Sequence, residues 1–316
     1  MNSNVKRFLT RFLPLIFGVG LVWYLFTIIP PKTLLEYFKN ANYWWIGLGL
    51  LFGILSHLSR AYRWKFMLEP MGYNPRFINS VLAVLIGYFV NLAIPRAGEV
   101  SRATVMAKYE KIPFEKGFGT IVAERIADLV MLFLVIGMTL LIQFEFISQL
   151  LKENFDPYKI FIAFVGVAIG GLVFFNFVKK STSGFGVKIK NFVKSLIEGI
   201  TSIFKMKKKW PFIFHTIFIW LMYIFMFWAT IPAIEGLSVP FGGILVGFIA
   251  GGFSIAATNG GIGLYPLAVA GAFTLFGVPE EPSTAFGSVM WSAQTAMIIL
   301  FGGLSFLLLP IFNKEK

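Results

Sequence analysis

The sequence contains no cysteine and only two histidines among its 316 residues. The absence of cysteine excludes disulfides, thiolate metal sites and cysteine nucleophiles, although it does not fix the redox compartment. The histidines, His57 and His215, form no cluster with metal-ligand spacing. We therefore predict two packed histidines, no metal and no cofactor. No Ser/His/Asp arrangement is visible either, so no catalytic residue is assigned.

Charged residues are also scarce, at 14% of the chain, whereas a soluble globular protein has about 25%. Hydrophobic residues make up 57% of the chain. Several apolar runs reach the ~20 residues that span a bilayer core as a helix, and they lack the period-2 alternation of a barrel strand. The sequence therefore predicts an all-α polytopic membrane protein, with a single integral-membrane domain over residues 1–316.

Acidic residues are scarcer than basic ones, at 15 against 28, which gives a formal net charge of +13. In a membrane protein this excess indicates cytoplasmic loops first, and an anionic headgroup or substrate second. No soluble segment is long enough for a nucleic-acid-binding domain. The basic N-terminus leads into an apolar run with no cleavage site of the signal-peptide type, so we expect a retained first helix.

The apolar segments do not fit a topology in which every one of them crosses the membrane. If all those before residue 241 crossed, the loop 179–209, with nine lysines and one glutamate, would lie outside, against the positive-inside rule. The rule is obeyed if 77–110 and 241–277 are re-entrant hairpins. We predict both termini in the cytoplasm, these two hairpins, and about six full spans, drawn from 13–30, 43–59, 118–143, 158–178, 210–231 and 284–311.

The two predicted hairpins enter from opposite faces, and one crossing helix follows each of them. This arrangement predicts an inverted repeat, an architecture of transporters in which broken helices meet near the bilayer midplane. Residues 184–206 place apolar residues on one helical face and lysines on the other. We predict a basic amphipathic helix on the cytoplasmic leaflet for this segment.

The stretch "NLAIPRAGEVSRA" predicts the break and the return arm of the first hairpin, with the break at Pro95 to Gly98. On a helix after the break, the charged side chains at spacings of three share one face, and the helix start favours phosphate. We predict a lipid-phosphate site there; the alternative is a solubilised loop. Asn91 either contacts substrate or bonds freed backbone groups. The three charged residues are Arg96, Glu99 and Arg102.

A second charged cluster, Glu124, Arg125 and Asp128, lies within a predicted crossing helix. Charges inside a span are costly and face a cavity or each other. The functional interpretation is a cationic site for a lipid phosphate beside a carboxylate that titrates or binds a coupling ion. The alternative is an internal ion-pair clamp. The two interpretations are compatible.

Two further features complete the candidate site. Arg60 and Arg63 offer planar donors suited to phosphate, or they are simply positive-inside residues. The second hairpin is predicted to break at "ATNGGIGLYP", where glycines allow a tight turn and close backbone approach. The break residues are Thr258, Asn259, Gly260, Gly261 and Gly263.

The motifs "IGYFVNLAIPRAGEVSRATVMAK", "GTIVAERIADL" and "NGGIGL" resemble the lysylphosphatidylglycerol synthase transmembrane-region family. This flippase-like family includes the flippase half of multiple peptide resistance factor. The resemblance covers most of the chain and implies lipid translocation between leaflets. No soluble aminoacyl-transfer domain follows, so we expect that the chain does not make the aminoacylated lipid. The implied functional residues are Asn91, Pro95, Arg96, Gly98, Glu99, Arg102, Glu124, Arg125, Asp128, Gly260, Gly261 and Gly263.

We therefore expect a lipid flippase or transporter of the cytoplasmic membrane rather than an enzyme. It would move a phosphate-bearing lipid, a phospholipid or a polyprenyl-phosphate lipid, by ion-coupled or downhill alternating access, since no ATP site is visible. One alternative is an integral-membrane transferase that acts on a lipid carrier. Another is a non-transporting membrane partner of a separate lipid-modifying enzyme. The sequence does not determine an oligomeric state.

Overall fold

The computed structural model describes residues 20–146, 148–149, 184, 186–187, 206–258 and 260–314. Within this part of the chain, all regular secondary structure is helical and no strand occurs. Packing divides the chain into two compact units. The first contains Met1–Val122 and Trp210–Lys316, and the second contains Ala123–Lys209. The predicted amphipathic helix 184–206 and the predicted span 158–178 lie almost wholly outside the described residues.

Residues 20–28 are helical, and nine longer helices follow them in the described part of the chain. They are α1 Pro31–Asn40, α2 Tyr43–Leu68, α3 Phe77–Ala93, α4 Ala97–Glu110, α5 Phe114–Ile142, α6 Lys209–Thr230, α7 Phe241–Ala257, α8 Leu264–Thr274 and α9 Glu280–Ile311.

Local sequence explains where several of these helices begin. The Asn42 side chain caps α2 by accepting a hydrogen bond from the Trp44 backbone N–H at 3.1 Å. Prolines precede α7 and α9, since a proline disfavours helical continuation before it and has no N–H to satisfy. Glu280 and Glu281 occupy the first turn of α9, where carboxylates stabilise the helix dipole.

The helices α3 and α4 form the first hairpin. Asn79 near the start of α3 hydrogen-bonds Glu110 at the end of α4, and Asn91 near the end of α3 contacts Gly98 at the start of α4. The two helices are therefore antiparallel. Their core, with α2 and the start of α5, is built on Trp64, Ala83, Ala103, Met106 and Ile121.

The helices α7 and α8 form the second hairpin in the same way. A Cβ added to Gly251 would lie 2.8 Å from the Tyr265 ring, and one added to Gly247 would lie 2.5 Å from the Phe273 ring. Because the later residue of α7 faces the earlier residue of α8, these contacts show that the two helices are antiparallel. The hairpin packs on α6 and α9 through aromatic rings, since the Phe273 ring of α8 lies 6.0 Å from Phe227 and 5.5 Å from Phe286, centroid to centroid. Both α3 and α7 have 17 residues.

The two hairpins approach α9 from its opposite ends. Asn313, just after α9, hydrogen-bonds Asn79 at the base of the first hairpin, and Gly302 packs against Phe89 further along it. The other half of α9 meets the second hairpin, where Trp291 donates a hydrogen bond to the Gly260 carbonyl oxygen at 2.7 Å. The first unit therefore contains two hairpins of opposite direction on one long helix.

Three described helices are long and apolar enough to cross a membrane: Phe114–Ile142, Lys209–Ala233 and Glu280–Ile311. They match the predicted spans 118–143, 210–231 and 284–311. The predicted span 43–59 lies in α2, whose 26 residues reach about 39 Å. The predicted span 13–30 is described only from residue 20 onward. The number of spans and the re-entry of the hairpins stay predictions.

Large apolar side chains cover the outer faces of these helices. Exposed examples are Phe133 on α5, Trp228 on α6 and Leu307 on α9, with 63%, 55% and 66% of their surfaces accessible. Soluble monomers rarely expose apolar patches of this extent. Together with helix length, this exposure is characteristic of an integral membrane protein.

Candidate functional site

The break in the first hairpin lies at Ile94 to Arg96, between the end of α3 and the start of α4. Arg96 has a left-handed backbone, with φ of 64°, and its side chain is exposed. The expectation that Arg96 shares one helical face with Glu99 and Arg102 is therefore wrong. Arg96 precedes the helix, because its backbone conformation reverses the chain, and it projects from the hairpin tip.

Asn91 and Gly98 hold the two arms of this hairpin together. The Asn91 side-chain oxygen accepts a hydrogen bond from the Gly98 N–H at 2.7 Å, so Asn91 does bond a freed backbone group. A Cβ on Gly98 would collide with the Gly87 carbonyl oxygen. Gly98 lies in the first turn of α4 rather than in the break, and its role is close helix approach. One N–H at this helix start is therefore already occupied.

Arg102 lies inside the hairpin core, with 3% of its surface exposed. Its guanidinium carbon is 4.3 Å from the centroid of the Trp64 ring, a cation–π contact. The Trp64 Nε1–H donates to the Thr120 hydroxyl at 2.7 Å, which fixes the plane of the ring. Gly87 leaves room for the Arg102 stem, since a Cβ there would lie 2.7 Å from Arg102 Cγ. Arg102 is thus held in one orientation.

Arg60 and Arg63 are also buried, on the second half of α2. The Arg63 Nη1 donates to the Thr216 hydroxyl at 3.0 Å, and its guanidinium lies 5.3 Å from the Phe212 ring centroid. The Arg60 Nη2 lies 3.4 Å from the Tyr223 hydroxyl. Arginines that only follow the positive-inside rule are exposed to the cytoplasm. Arg60 and Arg63 are instead buried against α6 side chains, which favours the candidate-site interpretation for both of them.

The second break extends from Thr258 to Gly263, between α7 and α8. Gly260, Gly261 and Gly263 have φ of 68°, 83° and 70°, a region that favours glycine. The Thr258 hydroxyl donates to the Ser254 carbonyl at 2.8 Å, so it closes the end of α7. Asn259 lies outside the described residues.

The cluster Glu124, Arg125 and Asp128 lies on α5, in the second unit. Glu124 is fully buried. The Arg125 Nη1 and Asp128 Oδ2 are 3.9 Å apart, with Arg125 the more exposed of the two side chains. The ion-pair alternative is therefore observed for Arg125 and Asp128, while the exposed part of Arg125 remains accessible to an anion.

A second polar cluster, not singled out from the sequence, joins the base of the first hairpin to the end of α9. Asn79 and Asn313 exchange two side-chain hydrogen bonds, at 3.0 and 2.9 Å. Arg76 contacts Glu110 at 3.4 Å and donates to the Phe312 carbonyl at 3.1 Å. We call Arg76, Asn79, Glu110 and Asn313 the base latch.

Sequence reasoning also missed Trp64, Thr120, Thr216 and Tyr223, which position the three buried arginines. The spacing of Arg60 and Trp64 by four residues signals a shared helical face. No sequence signal identifies the partners on α5 and α6, because those contacts cross helices. No group of three or more histidine, aspartate or glutamate side chains with metal-binding geometry occurs among the described residues.

The helices and their apolar outer surfaces define this chain as an all-helical integral membrane protein. It belongs to the family described as the lysylphosphatidylglycerol synthase TM region, whose model matches residues 11–303. The resemblance of the hairpin motifs to this family is confirmed.

Two curated relatives are similar to parts of the chain. A UPF0104 membrane protein of Methanocaldococcus jannaschii is 34% identical over 119 residues, 35% of each chain. A UPF0104 membrane protein of Pyrococcus horikoshii is 29% identical over 124 residues, 38% of this chain and 37% of the relative. The matched segments thus span little more than a third of these relatives. No solved structure matches the chain.

Proposed function

We propose that the protein moves a phosphate-bearing lipid, a phospholipid or a polyprenyl-phosphate lipid, between the leaflets of the cytoplasmic membrane. It acts as a transporter rather than an enzyme, by ion-coupled or downhill alternating access. Membership of a membrane family named for a lipid synthase supports a lipid-related role. The observation that carries the proposal is the pair of opposed hairpins whose tips meet beside α9.

Hairpins with broken tips are suited to a lipid path. Non-helical backbone at membrane depth is tolerated only where protein buries it or where it lines a cavity. Opposed broken helices meet at the substrate site in many secondary transporters, and one repeat moves against the other. Here, Leu92 near the first tip contacts Gly260 at the second. Movement at this contact would open the path from one side or the other.

The arginines of the first hairpin and α2 supply the charge that a lipid phosphate needs. Arg96 is exposed at the tip, and Arg102 is held rigidly behind it by Trp64. Guanidinium groups bind phosphate oxygens through paired N–H donors. Acyl tails would remain in the membrane while the headgroup follows the arginines. Glu99, on the same helix as Arg102, would balance part of this charge. In the second unit, the partly exposed Arg125, paired with Asp128, would offer a phosphate a guanidinium of its own.

The base latch supports the proposed topology. It brings Arg76 and Glu110, at the two ends of the first hairpin, to the same end of the unit as Asn313. Both ends of the hairpin would then face the cytoplasm with the C-terminus, as the proposed re-entrant topology requires. The second hairpin would enter from the outer side.

A lipid-movement assay in proteoliposomes tests this proposal. Phospholipids and polyprenyl phosphates with a fluorescent headgroup are reconstituted with the wild type and with Arg102→Ala and Arg125→Ala. Lys65→Ala is the matched control, because it also removes one positive charge, and the ion pair of Lys65 among the described residues is with the partly exposed Glu69 at 3.4 Å. We expect movement by the wild type and the control, and a large loss in both arginine variants.

Three outcomes would contradict the proposal. Wild-type protein that moves neither class of lipid in either direction would remove its basis. Metal-dependent turnover of a lipid carrier by the purified protein would favour the transferase instead. Copurification with a lipid-modifying enzyme, together with normal lipid movement in cells carrying Arg102→Ala, would favour a non-transporting partner.

A further inference from the structure

A cluster of polar side chains lies between α2, α3 and α6, outside the arginines of the hairpin core. The His57 ring lies 4.4 Å from the Tyr88 ring, centroid to centroid. The Tyr88 and Tyr223 hydroxyls are 3.1 Å apart, and Arg60 Nη2 is 3.4 Å from the Tyr223 hydroxyl. We call His57, Arg60, Tyr88 and Tyr223 the polar cluster.

His57 is more than nine-tenths buried, and its Nδ1 atom has no hydrogen-bond partner among the described residues. A packed histidine explains the ring contact with Tyr88 but leaves this nitrogen unexplained. Burying a polar atom without a partner is unfavourable, so such an atom in a native structure indicates a bound water or ligand. The nitrogen is therefore evidence for an occupant of the cluster.

The chemistry of the polar cluster selects an oxygen-rich, anionic group. It offers a guanidinium, two phenol hydroxyls and an imidazole, and none of its members is a carboxylate. Arginine and tyrosine donors bind phosphate oxygens well. An imidazole nitrogen can donate to such an oxygen or accept from a headgroup hydroxyl.

The position of the cluster connects it to Arg102. His57, Arg60 and Trp64 lie at spacings of three and four on one face of α2, and Arg102 stacks on Trp64. The rise from residue 57 to residue 64 is about 10 Å. Leu58 and Ala61 of α2 share an apolar cluster with Val84 and Leu85 of α3. The His57 ring contacts Tyr88, which lies nearer the end of α3, so this face of α2 runs toward the hairpin tip. A headgroup that leaves Arg102 would meet the polar cluster next.

We propose that the polar cluster is a second binding station for the headgroup phosphate and hydroxyls of the transported lipid. This inference rests on the proposed function and adds His57, Tyr88 and Tyr223 to its binding residues. His57 and Arg60 are buried and the two tyrosines that contact them are half-buried, so the station is closed in this structure. The tyrosines move aside when the headgroup enters.

Thermal unfolding of the full-length protein in detergent tests the station. The midpoint is measured with increasing didecanoyl phosphatidylglycerol, with didecanoylglycerol, which lacks the phosphate, and with inorganic phosphate. A ligand that binds the folded state raises the midpoint. We expect the wild type to be stabilised by the phospholipid, and little by the other two compounds.

The decisive variants are His57→Phe, which keeps the ring contact, and Tyr223→Phe, which removes one oxygen. If the His57 nitrogen is only a buried atom without a partner and binds no lipid, His57→Phe leaves the stabilisation by phospholipid unchanged. The proposal predicts that, without lipid, His57→Phe unfolds at or above the wild-type midpoint, whereas Tyr223→Phe, which removes the hydrogen-bond partner of Tyr88 and Arg60, unfolds at or below it. Half-maximal stabilisation then needs about tenfold more phospholipid. Tyr88→Phe serves if either variant does not fold.

The experiment distinguishes a failure of the second station from a failure of the proposed function. If the phospholipid stabilises the wild type and the variants at the same concentrations, the second station is overturned and the proposed function stands. If it does not stabilise the wild type at all, phosphate-lipid binding itself fails. If inorganic phosphate stabilises the wild type at the same concentration as the phospholipid, the ligand is free phosphate and the proposal is overturned.

Discussion

Leu92 of the first hairpin lies against Gly260 of the second, and a Cβ on Gly260 would be 3.5 Å from the Leu92 Cδ2 atom. These residues belong to the tips of two hairpins that approach α9 from opposite ends. The Leu92 side chain makes this contact, which is apolar. An apolar contact between two tips suits a gate in the transport cycle that we propose.

Cross-linking the two tips tests whether they must separate. The chain has no native cysteine, so a Leu92→Cys, Gly260→Cys pair reacts specifically with a short bis-methanethiosulfonate, which forms a disulfide with each cysteine and releases methanesulfinate. We expect bridging to stop lipid movement and reduction to restore it, measured in proteoliposomes. Each single variant is the control, because Gly260 has a positive φ that strains a cysteine. Full activity of the bridged protein would show that the tips need not separate.

The base latch leads to a prediction about topology. Impermeant maleimide added to intact cells should label Glu235→Cys, and it should not label Lys111→Cys or Lys314→Cys until the cells are permeabilised. Lys111 follows the first hairpin and shares the side of Asn313 if the hairpin is re-entrant. Labelling of Lys111→Cys from outside would mean that this segment crosses the membrane.

The close approach of Gly98 and Gly87 predicts a strong effect of one methyl group. Gly98→Ala collides with backbone and with Asn91, so it should destabilise the protein by about 1–3 kcal/mol. Gly271→Ala on α8 is the control, because a Cβ there meets nothing within 4 Å. Thermal unfolding in detergent compares them. Equal midpoints for the two variants would contradict this packing.

The Asn79–Asn313 pair should stabilise the end of α9 on the first hairpin. We expect non-additive losses when Asn79→Ala and Asn313→Ala are combined, with a coupling of about 0.6 kcal/mol, the average for polar pairs between membrane helices. A double-mutant cycle from unfolding free energies measures this coupling. Additive losses would indicate that each asparagine acts through its other contacts.

Trp64 is expected to position Arg102 for phosphate binding. Trp64→Phe keeps an aromatic face and should retain more lipid movement than Trp64→Leu, which removes a cation–π contact of about 0.5–2 kcal/mol. Thr120→Val separates this effect from loss of the Trp64 Nε1 hydrogen bond. Transport rates, normalised to folded protein, provide the readout. Equal transport rates for the Phe and Leu variants would contradict a stacking role for Trp64.

Hydropathy and loop charge were sufficient to locate the two hairpins. The predicted segments 77–110 and 241–277 coincide with α3–α4 and α7–α8, because apolar runs, prolines and glycines mark helix ends locally. The conformation of Arg96 could not be predicted in this way. Helical spacing placed it on a face with Arg102, whereas the turn that reverses the chain required a left-handed residue before the helix.

The sequence by itself determined that this is a helical membrane protein of a recognisable family, since composition and motifs are local properties. It also identified Arg60, Arg63 and Arg102 as candidates. Only the tertiary structure decided what surrounds them. The contacts of Arg102 with Trp64, of Arg60 with Tyr223 and of Asn79 with Asn313 join different helices. Such partners depend on how helices pack, and no local pattern in the chain encodes them.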